Sequence, residues 1–238
     1  MRVNDPTGGQ GSTRRGLDRD QIVEAALLHI DRHGAQGLTM RGLGQELGVE
    51  AMALYRHVSG REDLLEAVVA SLLADITTGL DTQLSQTWQG YLQTLAHAIR
   101  RIATEHPSAF PLVATRHPAA PWLRPPLRSL EMVEHFLNAL SGHGLTDEHV
   151  VAVYRAFSSF LLGHLLLESA AQGAETSPVD QPLDEGDAEV PNADGRISLT
   201  TFPEVARLRP LLSVDHSEEE FEVALETLLD RLELFVAQ

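Results

Sequence analysis

The stretch from Thr39 to Arg61, TMRGLGQELGVEAMALYRHVSGR, constrains the fold most. Leu43, Leu47, Val49, Leu54 and Val58 are its inward positions, falling on either side of Gly48, so it reads as two short helices joined by a tight turn. Gly48 supplies the positive φ that a sharp helix exit needs. Thr39 caps the first helix, which runs through Glu46 and Leu47. That arrangement is a helix-turn-helix, whose second helix presents side chains near its own N-terminus to the major groove of duplex DNA. Ala51, Met52, Ala53, Tyr55, Arg56 and His57 are so placed.

The flanking segments support the same reading. Asp18, with Gln21 three residues on, opens a helix carrying Ile22, Val23, Ala26, Leu27 and Ile30 on one face and stopped at Gly34. Ser59, with Glu62 three residues on, repeats the pattern and opens a helix through Leu64, Leu65, Val68, Val69, Leu72 and Leu73. The organisation expected is a flexible leader 1–16, a helix-turn-helix domain 17–64 and a larger helical domain 65–238.

Helical periodicity continues without a strand-like segment, so the fold class is all-α: an N-terminal three-helix helix-turn-helix domain joined to a larger C-terminal helical domain, which the family resemblance given below implies is a ligand-binding and dimerisation domain. Thr87 to Glu105 is amphipathic and ends at His106-Pro107. Five prolines between Ser108 and Pro126 leave room for a short helix and an irregular loop. Leu127 to Leu140 is helical and ended by Gly142 and Gly144. Thr146 caps a helix from Asp147 to about Ala171 that is apolar on nearly every side. Gly173 to Gly195 holds seven acids, no basic residue and three prolines, which predicts a flexible acidic surface loop over 173–200, with a negative interaction tail as the alternative. Phe202 to Leu208 reads as a short helix, and Ser217 starts a final one.

The helices from Asp147 and Ser217 carry more apolar surface than one subunit covers easily. A homodimer held by a four-helix bundle would cover it, with Phe160, Leu161, His164, Leu165, Leu228, Leu232 and Phe235 at the interface. Burial of both helices within one subunit is the alternative. No apolar run reads as long enough to span a bilayer, and the first residues lack an apolar signal core, so the expected location is cytoplasmic, with no membrane partner.

A net charge of −16 sits badly with DNA until it is divided. Met1 to Arg61 has eight Arg against seven acids, net +1; the remainder has 10 Arg against 27 acids, net −17. Arg14, Arg15, Arg41, Arg56 and Arg61 fall around the helix-turn-helix, where a positive face can form. Cysteine is absent, which excludes disulfides and thiolate metal sites.

Leu38 to Leu65, LTMRGLGQELGVEAMALYRHVSGREDLL, resembles the TetR family of transcriptional regulators. Thr87 to Arg100, TWQGYLQTLAHAIR, and Gly144 to Glu168, GLTDEHVVAVYRAFSSFLLGHLLLE, resemble the ligand-binding domain of its tetracycline repressor subgroup. The resemblance implies an all-α dimer that binds a double-stranded DNA operator and takes a small-molecule effector in each subunit. Repression is the family's usual mode; activation or ligand-independent regulation is the alternative. Thr39, Arg41, Tyr55, His57 and Arg61 match positions that resemble capping and phosphate contacts, and Ala51, Met52 and Arg56 match positions facing base edges. Ala53 replaces a frequent family threonine. Arg14 and Arg15 reach a neighbouring phosphate or minor groove, or belong to a disordered leader.

The subgroup's magnesium–tetracycline histidines fall on Thr77 and on Leu112 or Val113 here, and its polar drug contacts fall near Leu95 and Phe136. A different ligand is implied. The expected pocket, from Leu73, Thr77, Leu95, Ile99, Val113, Val133, Phe136, Leu137, Val151 and Tyr154, is largely apolar and suits an apolar or aromatic molecule. Each residue also reads as plain core.

An enzyme is the rival class. His29 and His33 are four apart on one helix, as two metal ligands would be, but no third ligand stands near them in an H-E-x-x-H arrangement. They read as surface or boundary histidines. Gly42-Leu43-Gly44 follows no strand and is not a dinucleotide fingerprint. No catalytic residue, metal or cofactor is expected.

Overall fold

A computed structural model describes residues 17–79, 86–174, 203–212 and 214–237. The leader 1–16 and nearly all of the acidic stretch, 175–202, lie outside the described residues. Among the described residues every regular element is helical: α1 (Arg19–His33), α2 (Met40–Glu46), α3 (Ala51–Leu54), α4 (Arg61–Gly79), α5 (Trp88–Glu105), a 3₁₀ turn (Phe110–Leu112), α6 (Leu130–Gly142), α7 (Asp147–Ala171), α8 (Pro203–Leu212) and α9 (Ser217–Val236).

Local chemistry sets the helix starts. At α1 the Asp18 carboxylate accepts from the Gln21 amide at 2.8 Å, and the Gln21 side chain accepts from the Asp18 amide at 3.1 Å. This reciprocal pair satisfies two amides that a helix start leaves orphaned. Thr39, Thr87, Ser129 and Thr146 cap α2, α5, α6 and α7 by accepting from the amide three residues on. Ser129, not Leu127, therefore fixes the start of α6. The expected box at Ser59 forms differently: the Ser59 amide donates to Asp63 at 2.7 Å, and Glu62 turns elsewhere.

The N-terminal helices share one core. Ile22, Ala26 and Ile30 of α1, Leu43 of α2, Leu54 of α3 and Leu64 and Val68 of α4 are all buried. Leucine burial of this kind contributes roughly 1.5–3 kcal/mol per side chain, which is what holds two helices as short as α2 and α3 in place. The second half of α4 continues into the body, where Leu73 and Ile76 are buried in the same continuous cluster as α5, α6, α7 and α9.

One expectation about α7 is corrected. Its 25 residues, at a mean hydropathy of 1.7 over the most apolar stretch, are long and apolar enough by length and composition to cross a membrane. Their placement gives the physical reason for that composition. Val150, Val153, Phe157, Leu161 and Leu165 are buried, and α7 packs against α5, α6 and α9, so several faces are covered by protein.

Candidate functional site: a DNA-reading face joined to an aromatic core

The reading face is built on two glycines. Gly48 takes φ 67° after α2, a conformation that L side chains adopt only at a cost. Gly44 lies where α2 and α3 approach: its carbonyl accepts from the Val49 amide at 2.9 Å, and a Cβ added there would sit 3.0 Å from the Val49 carbonyl oxygen. Leu54 and Val58 anchor α3 from below, which leaves its other side outward. Met52 is 73% exposed, Tyr55 and Arg56 are exposed, and Ala51 and His57 are half-buried. Thr39 and Arg41 are exposed on the neighbouring α2. These side chains thus come together at one end of the molecule.

Arg61 is differently employed from the phosphate contact expected of it. Its Nε donates to the Leu38 carbonyl at 3.0 Å and its Nη2 to the Ala35 carbonyl at 2.8 Å, so the guanidinium braces the α1–α2 connection against α4. Arg19 makes a second brace, donating to the His57 carbonyl at 2.7 Å and to both Asp63 oxygens at 2.7 and 3.4 Å. Arg19's hydrogen bonds, followed by the Ser59 amide, hold the Asp63 carboxyl below its ordinary value.

An ion pair and a histidine–carboxylate hydrogen bond tie this head to the body, and neither is among the contacts expected from the sequence. Arg128, in the connection before α6, has a side chain only 7% exposed and donates to Glu62 at 2.8 Å and to the Thr115 hydroxyl at 3.2 Å. His106, past the end of α5, meets Asp31 of α1 at 2.8 Å. Their sequence separations of 66 and 75 residues put both pairs beyond any local pattern.

Within the body, Phe136 stands at the centre of a ring cluster, 5.5 Å from Tyr154, 5.7 Å from Phe157 and 6.2 Å from Tyr91 between centroids. The Tyr154 hydroxyl donates to the Pro125 carbonyl at 3.1 Å, and the Tyr91 hydroxyl hydrogen-bonds with His135 Nδ1 at 3.0 Å. Burial raises both phenols, Tyr154 to about 12. Of the expected pocket residues, Leu73, Leu95, Ile99, Val113, Val133, Phe136 and Tyr154 are buried and Leu137 is half-buried. The Thr77 side chain lies outside the described residues. Val151 is a correction. It is 42% exposed, because its neighbours Val150 and Tyr154 take the inner face of α7. Tyr91 and Phe157 went unnamed, although each shares a helical face with a named residue, Leu95 and Tyr154.

Of the expected interface residues, three are corrected, and Phe160, His164, Leu228 and Phe235 keep part of their surface exposed. Leu161, Leu165 and Leu232 are buried inside their own subunit. Phe160 and His164 pack on Phe221 of α9, at 6.2 and 5.3 Å between centroids, and Phe235 meets His149 edge-on at 5.2 Å. Leu228 is half-buried. Among the described residues, the apolar side chains that α7 and α9 turn outward include Val151, Leu167 (74% exposed), Val223, Leu234 (59% each) and Phe235 (43%).

Comparisons with known proteins agree with this architecture. Residues 22–68 match the family model described as bacterial regulatory proteins, tetR family, and residues 82–235 match the one described as tetracyclin repressor-like, C-terminal domain. An HTH-type transcriptional regulator of Saccharopolyspora erythraea is 30% identical over 160 residues, spanning 67% of this chain and 64% of that relative. A crystal structure of a possible TetR family transcriptional regulator from Streptomyces coelicolor A3(2) superposes with a TM-score of 0.68 at 27% identity, covering 92% of this chain and all of that one. A Streptomyces coelicolor TetR family protein, ActR, in complex with actinorhodin has a TM-score of 0.64 at 24% identity, covering 94% and 99%, and is alike in fold.

Proposed function

The chain belongs to the tetR family of bacterial regulatory proteins, and from that premise we propose that it is a homodimeric repressor released from a palindromic operator by a small apolar or aromatic effector. The carrying observation is α4: its first turn holds the reading head through Asp63 and meets Arg128 through Glu62, and its second half is buried in one apolar core with α5 and α6. One rigid element therefore belongs to both parts.

In this reading the DNA-binding domain is 17–64 and the effector and dimer domain 65–238, with α4 crossing the boundary. Arg41, Tyr55 and His57 hold phosphates and set register; Ala51, Met52 and Arg56 read base edges, Arg56 through two hydrogen bonds to guanine. Two copies would reach half-sites roughly 34–36 Å apart. The effector enters by parting the ring cluster around Phe136, where Tyr154 is hydrogen-bonded to Pro125 in the same connection that carries Arg128. Moving that connection pulls on Glu62 and tilts α4, which changes the separation of the two α3 helices. Because the states differ in affinity for both ligands, operator DNA must weaken effector binding by the factor by which effector weakens DNA binding. The ActR–actinorhodin complex supports a regulator that takes a ligand. The protein works in the cytoplasm, on double-stranded DNA.

Selection of bound duplexes from a random pool at moderate salt tests the proposal. The native protein should enrich a palindrome; Arg56→Ala should relax one position of each half-site, and Arg41→Ala should weaken all sequences alike. Indistinguishable profiles for the two variants would overturn the assignment of roles, and no enriched site at any salt concentration would overturn the function.

A further inference from the structure

His29 and His33 stand one turn apart on α1, and Glu46 is the last residue of α2. Each offers one ligand atom, and the three atoms lie within 4.8 Å of one another. His29 Nδ1 and Glu46 Oε1 are hydrogen-bonded at 2.7 Å, a contact whose proton a bound cation would displace, and the two imidazole rings are 4.9 Å apart between centroids. The His29 ring is buried, with 9% of its side chain exposed, and its Nε2 has no hydrogen-bond partner. His33 and Glu46 are exposed, so the cluster opens to solution with His29 as its floor.

We propose that these three residues form a site for a divalent transition cation of the zinc class, stapling α1 to α2. Two imidazoles and a carboxylate are a zinc donor set, and three protein ligands leave a fourth position for water. Nitrogen and oxygen ligands bonded at about 2.0–2.1 Å on tetrahedral angles lie about 3.3 Å from one another. That spacing falls between the 2.7 Å contact of His29 with Glu46 and the 4.8 Å within which all three atoms lie, and the side chains that must shift to reach it, His33 and Glu46, are the exposed ones. Charge favours the same place: α1 ends at His33 and α2 at Glu46, so the negative ends of two helix dipoles converge on it. A plain hydrogen bond between His29 and Glu46 would hold the helices without His33, so His33 is the residue that separates a metal site from a structural pair. Hard cations such as magnesium, which prefer all-oxygen sites, are not expected there.

Because the three ligands meet only in the folded head, the ion stabilises that fold and acts independently of any effector or operator. The test uses the full chain, stripped with a chelator and titrated with zinc in competition with a chromogenic indicator; cobalt absorption reports the ligand field. Native protein should take up one zinc per chain with a rise in Tm. His33→Gln and Glu46→Gln should each bind at least tenfold more weakly and lose the Tm rise, while His216→Gln, at an exposed histidine elsewhere, should behave as native. Equal zinc affinity in native, His33→Gln and Glu46→Gln protein would overturn the site, as would uptake no tighter than millimolar or loss of uptake only in His216→Gln. Circular dichroism of the apo variants separates lost ligands from lost fold.

Discussion

At the scale of single residues, Gly44 and Asp63 carry the most specific consequences. A methyl group at Gly44 meets the Val49 carbonyl oxygen at 3.0 Å and the Ala51 amide nitrogen at 3.3 Å, both backbone atoms that give only if α3 moves. Gly44→Ala should therefore cost about 1–3 kcal/mol in thermal unfolding and weaken operator binding; a native melting curve would show that the turn tolerates the extra atom. Asp63 acts through pH. Its folded pKa lies below the ordinary 3.8, held down first by the Arg19 hydrogen bond, so its contribution is present above the unfolded value and is lost as pH falls through the folded one. Loosening of the N-terminal helices below about pH 4 is expected, and Asp63→Asn should flatten that acid limb. Acid unfolding of the same steepness in both proteins would rule this out. The capping pair at Asp18 and Gln21 was legible directly, since all its atoms lie within one turn. The employment of Arg61 was not. Its carbonyl partners sit 23 and 26 residues away, and nothing in a local pattern distinguishes an arginine that braces a loop from one that meets phosphate.

At the scale of elements, α4 is buried in the cores of both the N-terminal head and the body, and in the proposed function it carries the communication between them. Glu62, whose side chain is 64% exposed, is the counter-charge of the nearly covered Arg128, so neutralising it leaves that guanidinium the Thr115 hydroxyl as partner and costs some stability as well. Glu62→Gln should leave operator affinity close to native and reduce the effector's ability to release DNA by about 0.5–2 kcal/mol of coupling. Operator release titrated with effector measures this directly, and an unchanged coupling would place the path elsewhere, for example through Asp31 and His106. The extent of α5 and α7 was readable from period and caps. Which face of α7 each residue occupies was not, because a helix apolar on nearly every side has no sequence signal for direction. Val151 was therefore placed inward on composition and turned outward by packing.

At the scale of the whole molecule, the question is what covers the outer faces of α7 and α9. Leu167 and Val223 are exposed on those faces, whereas Leu165 fills its own subunit. If these faces pair in a homodimer, Leu167→Arg and Val223→Arg should give monomers by light scattering at micromolar concentration with the fold intact. Leu165→Ala should instead lower stability by about 2–5 kcal/mol through the cavity it leaves. Native light scattering at monomer mass would remove the dimer.

The sequence by itself determined the helical class, the caps at Asp18, Thr39 and Thr146, the turn at Gly48 and the family, because each rests on residues within a few positions of one another or on a motif read in order. The tertiary structure alone decided which leucines of α7 look inward, how Glu62 meets Arg128, and that Glu46 stands beside His29 and His33. Glu46 lies 13 residues beyond His33, past a loop and a whole helix, and only the packing of α2 across α1 brings its carboxylate to them. Local bonding energies are set by neighbours in the chain, whereas these contacts are set by the direction in which a buried face must turn, which no short window of residues contains.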